Sequence, residues 1–379
     1  MTLPLTDPVA LAEALIACPS ITPATGPVFD ALEAMLVPLG FTVERFIDGK
    51  GELEGPVENL LAVRRTGDGP HIAFAGHLDV VPPGDGWASD AFAPERRGEL
   101  LYGRGAVDMK GSIAAFVAAV ARAGVASGTI SLLITGDEEG DAVFGTRALM
   151  RHMAERGVRP DMCLVGEPTS VNRLGDTVKI GRRGSVNMWI TVAGTQGHVA
   201  YPHLAHNPIS PLVRILAAIE AIELDAGTDW FQASNIEITD IMVGNPATNV
   251  IPAKATARLS IRFNDLHTGD GLVERIRALV EAEGGTLEAK ISGEAFLTPP
   301  GDLSALISAA ITAETGLNPE LSTSGGTSDA RFLSALCPVV EFGLINATMH
   351  KLDEAVALAD LEQLTRIYMR ILASAPTGY

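Results

Sequence analysis

The chain has 379 residues, too many for one ordinary hydrophobic core, so two domains are expected. A formal net charge of -18 lacks the basic excess that nucleic-acid or anionic-membrane binding requires, and no stretch reaches the roughly 18 uninterrupted apolar residues of a membrane span. Cys18, Cys163 and Cys337 form no CxxC pair, and no basic segment followed by an apolar run opens the chain, so the expectation is a cytoplasmic protein without disulfides, nucleic acid or membrane among its partners.

In chain order, His71 to Val81 reads as a buried strand and Gly111 to Ala123 as a buried helix. Thr129 to Thr135 is a second strand, Ala142 to Arg156 a helix and Met162 to Gly166 a third strand. This βαβαβ order implies a largely parallel sheet with helices on both faces, a doubly wound α/β domain. Near Arg183 the pattern changes. Val186 to Val192, Asn235 to Val243 and Ala255 to Phe263 alternate apolar and polar residues, as antiparallel strands with one open face do. Helical stretches at Pro208 to Leu224 and Gly269 to Glu283, and a strand at Thr286 to Ile291, complete an α+β layer. The chain then returns to helix, strand and helix at Ser304 to Thr315, Pro338 to Phe342 and Leu358 to Ala373. The expectation is a first domain built from 1–183 and 296–379, with 184–295 inserted into it.

Chemistry gathers at the ends of the strands of the first domain. The first strand ends in His77-Leu78-Asp79, where residues two apart point the same way on a strand. Asp108 stands just before a helix. The next two strands end in Gly136-Asp137-Glu138-Glu139-Gly140 and Gly166-Glu167-Pro168, and Met349-His350-Lys351 follows a later one. In an open α/β sheet the carboxyl ends of the strands line one crevice. Bare carboxylates crowded there would repel one another, and a pair of divalent cations removes that penalty. Imidazole and carboxylate donors suit zinc, with cobalt or manganese as alternatives. Two such ions about 3.5–4 Å apart need a carboxylate between them. A lone His-x-Asp or Glu-Glu is most often a structural pair or a solvated face. The weight lies in acid or histidine recurring at strand end after strand end, flanked by Gly or Pro. Gly103 and Gly105 do not complete a dinucleotide-binding GxGxxG.

Gly76-His77-Leu78-Asp79-Val80-Val81-Pro82, Gly103-Arg104-Gly105-Ala106-Val107-Asp108-Met109-Lys110-Gly111, Asp137-Glu138-Glu139-Gly140 and Gly166-Glu167-Pro168 resemble the motifs of the M20 metallopeptidase family. The resemblance implies a catalytic domain with a zinc-peptidase-like sheet and an inserted α+β, ferredoxin-like domain for dimerisation and as a lid. It implies two Zn2+ or Co2+ ions per subunit, one held by His77 and Glu167 and the other by Glu139 and His350, with Asp108 between them. Glu138 takes the place of the general base, and Asp79 that of the acid that orients His77. In the inserted domain, Gly194-Thr195-Gln196-Gly197-His198-Val199-Ala200-Tyr201-Pro202-His203 carries a family signature. The resemblance implies that His198 reaches the active site of a second copy in a homodimer and stabilises the oxyanion.

The substrate-binding candidates are Arg183, Tyr201, Asn249, Arg262, Gly326, Thr327 and Ser328. Arg183 follows Gly181-Arg182, and the last three lie in Ser324-Gly325-Gly326-Thr327-Ser328-Asp329-Ala330-Arg331-Phe332. These segments resemble the desuccinylase branch of the family, whose small-molecule substrate, N-succinyl-LL-diaminopimelate, carries three carboxylates that arginines pair with well. Ala330 stands where that branch has Gly, and Leu344 where it has Pro. Acetylornithine deacetylases, other N-acyl-amino-acid amidohydrolases and dipeptidases of the same family are the alternatives.

Overall fold

The computed structural model describes residues 3–53, 55–123 and 128–374. The chain forms two compact units, one from residues 1–180, 298–322 and 328–379 and the other from residues 181–297 and 323–327.

The first unit is built on an eight-stranded sheet. Its spatial order is Thr42–Asp48, Val57–Arg65, Thr129–Thr135, His71–His77, Met162–Val165, Val339–Glu341, Thr177–Lys179 and Glu320–Ser322. The run from Thr129–Thr135 through His71–His77 and Met162–Val165 to Val339–Glu341 is parallel. The two strands before it in space are antiparallel, and Val339–Glu341 meets Thr177–Lys179 antiparallel, so the sheet is mixed rather than largely parallel. Some of the strands that break the expectation, Thr42–Asp48 and Glu320–Ser322 among them, lie where the sequence shows short or polar runs, while the longer Val57–Arg65 precedes the recognisable motifs. Six consecutive residues of Thr129–Thr135 are buried, which requires cover on both faces because neighbouring side chains point to opposite sides. Helix Lys110–Ala123 is buried along most of its length and packs against helices Pro8–Ile16 and Leu358–Ser374. Helix Thr146–Arg156 packs on Val57–Arg65 and Thr129–Thr135. It starts four residues after the expected Ala142, because Asp137 first turns the chain by accepting from the amides of Val143 and Phe144.

The second unit runs Gly184–Ala193, helix Ile209–Glu220, Asn235–Met242, Lys254–Phe263, helix Gly269–Ala282 and Thr286–Gly293. This βαββαβ order gives one antiparallel sheet in which the second, third, first and fourth strands are neighbours, the ferredoxin-like arrangement. Val186, Met188, Ile190 and Val192 point to its core, as their alternation requires, while Trp189 lies open on the other face. Leu212, Ile215 and Ile219 of one helix, and Leu272, Ile276 and Val280 of the other, complete that core at helical spacing. Among the described residues no helix is long and apolar enough to cross a membrane.

Candidate metal centre

Strand order explains how residues far apart in the chain meet. His71–His77 lies between Thr129–Thr135 and Met162–Val165, all three parallel. Their carboxyl ends therefore place His77 between the Glu138-Glu139 turn and Glu167. Glycines keep this edge tight. A Cβ on Gly76 would come within 2.4 Å of the Met109 methyl, and one on Gly166 within 2.5 Å of the Phe74 ring. The Asp108–Met109 peptide is cis.

The donors converge in three groups: His77, Asp108 and Glu167; Asp108, Glu139 and His350; and His77, Glu138 and Glu139. Within each group the donor atoms lie inside 4.8 Å of one another. His77, Asp108 and Glu139 each belong to two of the groups, and Asp108 touches both imidazoles. Its Oδ1 is 3.2 Å from His77 Nε2 and its Oδ2 3.1 Å from His350 Nε2. His77 Nε2 also lies 3.8 Å from Glu167, and His350 Nε2 2.8 Å from Glu139.

The electrostatics follow from this crowding. Burial alone would lower the His77 pKa, but the hydrogen bond to Asp108 and the charges of Asp79, Asp108 and Glu167 hold it well above its usual value. His350 is pushed up to about 10 by its hydrogen bonds to Asp108 and Glu139. Burial would raise Asp108, but the two imidazoles hold it below the usual carboxylate range. Glu138 is raised well above the carboxylate range by burial and by the charge of Glu167. A cluster that draws protons onto both imidazoles and onto a carboxyl calls for positive charge. Two imidazoles with several carboxylates are a donor set that suits divalent cations, so the residues present fit a metal pair.

Asp79 acts differently from the strand-based expectation. The strand ends at His77, and His77 Nδ1 donates to the Asp79 backbone carbonyl at 2.8 Å, with the carboxylate farther away at 3.6 Å. That bond turns Nε2 toward the cluster, where a cation would replace its proton. The Asp79 carboxylate instead accepts from the amides of Glu138 (3.2 Å) and Glu139 (2.9 Å), fixing the turn that carries them. Asp329, buried beside the site, accepts from Thr146 Oγ1 at 2.7 Å and adds its negative charge to the field at Glu138. The sequence offered one signal for it: an acid inside the Gly-Gly-Thr-Ser-Asp run.

The remaining candidates fall in two places. Ser328 belongs to the first unit, where it is buried and donates to Glu341 at 2.5 Å, so it anchors the loop instead of opening to a ligand. Ala330 and Leu344, the two departures from the branch pattern, are both fully buried there. Arg183, His198, Tyr201, Asn249, Arg262, Gly326 and Thr327 belong to the second unit. There His198 pairs with Val250 and the Asn249 carbonyl accepts from the Val199 amide, so His198 and Asn249 share one small ribbon. The Ala200 amide donates to His198 Nδ1 at 3.0 Å, which puts the ring proton on Nε2 as a free donor. Arg262 Nη1 donates to Ser185 Oγ (2.5 Å) and Ser260 Oγ (2.9 Å), and Arg183 Nη1 to Asn235 Oδ1 (3.0 Å). Burial, then the charge of Arg183, lowers the Arg262 pKa. Among the described residues neither arginine has a carboxylate partner. Gly326 offers its carbonyl to Arg182 Nη1 at 3.0 Å.

The family model for peptidase family M20/M25/M40 matches residues 73–374, which span every member of the cluster. The chain belongs to that family. It is accordingly a metal-dependent hydrolase. Among its relatives is a protein named succinyl-diaminopimelate desuccinylase from Sphingopyxis alaskensis, 74% identical over 370 residues that cover 97% of both chains. A protein of the same name from Zymomonas mobilis is 57% identical over 97% of this chain and 98% of its own. Solved structures share the fold at low identity. Aminopeptidase PepT from Bacillus cereus superposes with a TM-score of 0.77 at 18% identity, covering 98% of this chain and 99% of its own. The YXEP protein of Bacillus subtilis, described as a dinuclear metal-binding peptidase of the M20 family, gives 0.68 at 16% identity over 97% of this chain and 96% of its own.

Proposed function

We propose that this chain hydrolyses N-succinyl-LL-2,6-diaminopimelate to succinate and LL-diaminopimelate, a precursor for lysine and peptidoglycan. The observation that carries the reading is 74% identity over 97% of both chains to a protein named for that reaction. The arginine pair without a carboxylate partner supports it, since a substrate with three carboxylates supplies what Arg183 and Arg262 lack.

Two divalent cations, Zn2+ or Co2+, would be held by His77 and Glu167 on one side and Glu139 and His350 on the other, with Asp108 between. When bound they lower the pKa of water and polarise an amide carbonyl. Glu138 accepts the proton of the attacking water at its carboxylate. As the new C–O bond forms and the C–N bond breaks, Glu138 gives that proton to the leaving nitrogen, which departs as the amine. Asp79 keeps Glu138 and Glu139 in place through their amides, and its carbonyl keeps the His77 tautomer. His198 of a second copy of the chain donates from Nε2 to the oxyanion.

The second unit is proposed as a dimerisation and lid domain. Strand Asn235–Met242 is an edge of its sheet, and Ile241 (58% exposed) and Met242 (60%) stand open at the strand's end. Val199, Tyr201 and Leu204 around His198 are exposed as well, a surface suited to a second copy of the chain. A cytoplasmic location accords with three free cysteines.

The test is a substrate comparison with zinc-loaded protein: N-succinyl-LL-diaminopimelate beside N-acetylornithine and a set of dipeptides. Release of succinate well above the other rates is expected. Turnover confined to N-acetylornithine would move the chain to the deacetylase reading.

A further inference from the structure

We propose that Glu354, paired with Arg104 inside the first unit, is a positioning residue that locks Asp108 and His350 into one preformed half of the metal centre. The proposal rests on the reading of those two side chains as ligands. Sequence patterns did not single out Glu354; its only signal is an acid four residues after His350.

The Glu354 side chain is wholly buried, and its carboxylate accepts four hydrogen bonds. Oε1 accepts from the amides of Val107 (2.7 Å) and Asp108 (3.1 Å). Oε2 accepts from the Gly105 amide (3.1 Å) and from Arg104 Nη1 (2.7 Å). The Glu354 carbonyl takes the Gly103 amide as well. One residue thus collects most of the amides of the loop that ends at Asp108, including that of Asp108 itself.

Arg104, 2% exposed, extends the clamp. Nη1 also reaches the Lys351 carbonyl (3.2 Å) and Nη2 the Pro83 carbonyl (3.3 Å), and the guanidinium lies 5.2 Å from the centre of the Trp87 ring. Three loops, 83–87, 103–108 and 350–354, are therefore joined at one buried ion pair. These bonds offset much of the loss of hydration that burying an ion pair costs, with Arg104 Nε alone of the guanidinium nitrogens left without a partner.

The His350 loop needs this hold. His350 and Asp353 adopt left-handed backbone, at φ 60° and 51°, a region that L-residues with side chains avoid. The Thr348 hydroxyl donates to the Ala355 carbonyl and accepts its amide, and Asp353 accepts the Ala88 amide at 2.9 Å. His77 and Glu167, by contrast, stand at the ends of paired sheet strands. The His77–Glu167 side is set by the sheet apart from the shared Asp108, and the Glu139–His350 side leans on the clamp through both Asp108 and His350, so damage to the clamp should be unequal between the two.

Metal-free protein is titrated with Co2+ alone, followed by visible absorption and calorimetry, in the wild type, Glu354→Gln and Arg104→Lys. The amide of Gln presents N–H groups where backbone N–H groups already point. The wild type should bind two Co2+ ions. In Glu354→Gln the affinity of the Glu139–His350 side should fall about 10–100-fold, and that of the His77–Glu167 side, which depends on the clamp only through the shared Asp108, clearly less. Arg104→Lys should weaken the two sides in the same unequal order but by less, and it decides the question if Glu354→Gln does not fold. Two unchanged affinities in a folded variant would overturn the clamp. Equal weakening of both, together with a lower melting temperature of the metal-free variant, would also overturn it by making the role structural. A wild type that takes up no pair of Co2+ ions would overturn the metal reading, and the clamp with it.

Discussion

In the first unit the functional groups are packed against one another: His77, Asp108, Glu139, Glu167 and His350 share short contacts at the carboxyl ends of parallel strands. In the second unit they face outward. His198 carries a free Nε2 proton on an exposed ribbon, and Arg183 and Arg262 bond only to neutral side-chain or backbone oxygens among the described residues. The contrast teaches which groups are prearranged for a cation and which await an anion. Crowded carboxylates need positive charge beside them, which here the two imidazoles supply only by taking up protons. Neighbouring arginines without acids are the converse case, and the proposed substrate would complete them with its carboxylates.

The sharpest way to break this comparison is at Glu138. Glu138→Gln should retain two metal ions per chain while kcat falls about 10²–10⁴-fold. Metal analysis beside steady-state kinetics checks both halves, and near-wild-type turnover would remove Glu138 from the base role. His198→Ala should lower kcat about 10²–10³-fold, leaving metal content intact. A change confined to KM would place His198 in ground-state binding. Arg262→Met should raise KM about 10–100-fold for the succinyl substrate, the equivalent of one charge-assisted hydrogen bond, with kcat little changed.

The smallest expected effect concerns stability of the second unit. Asp225 accepts from the amides of Gly227 (2.7 Å) and Ser234 (3.2 Å), from Asn264 Nδ2 (2.7 Å) and from His267 Nε2 (3.0 Å). Burial would raise its pKa, but the hydrogen bonds from Ser234, Gly227 and Asn264 hold it below the usual aspartate range. A depressed carboxylate stabilises the fold above its unfolded pKa of about 4 and loses that contribution as pH falls toward the folded value. Asp225→Asn should therefore cost about 1–3 kcal/mol at pH 7 and progressively less in acid. Melting curves across a pH series read this directly, and a pH-independent difference would assign the loss to packing.

Much of this arrangement was legible before the structure. The alternation of Val186, Met188, Ile190 and Val192 located an antiparallel strand, because period two survives wherever one sheet face is open. His77, Glu138, Glu139 and Glu167 announced themselves by sitting just past apolar runs. The mixed character of the large sheet was hidden, since its antiparallel members Thr42–Asp48 and Val57–Arg65 precede the recognisable motifs. The true task of Asp79 was hidden too. Whether a carboxylate or its backbone carbonyl meets a histidine depends on where the strand stops, and it stops at His77, short of the apolar run that continues to Val81. Glu354 escaped notice because its partners are backbone amides, which leave no trace in side-chain patterns.

The most direct test of the central claim is anomalous diffraction at the zinc absorption edge from crystals grown with zinc. Two peaks are expected, one coordinated by His77 and Glu167 and the other by Glu139 and His350, with Asp108 contacting both. A single peak, or a pair that leaves Asp108 uncoordinated, would contradict the account.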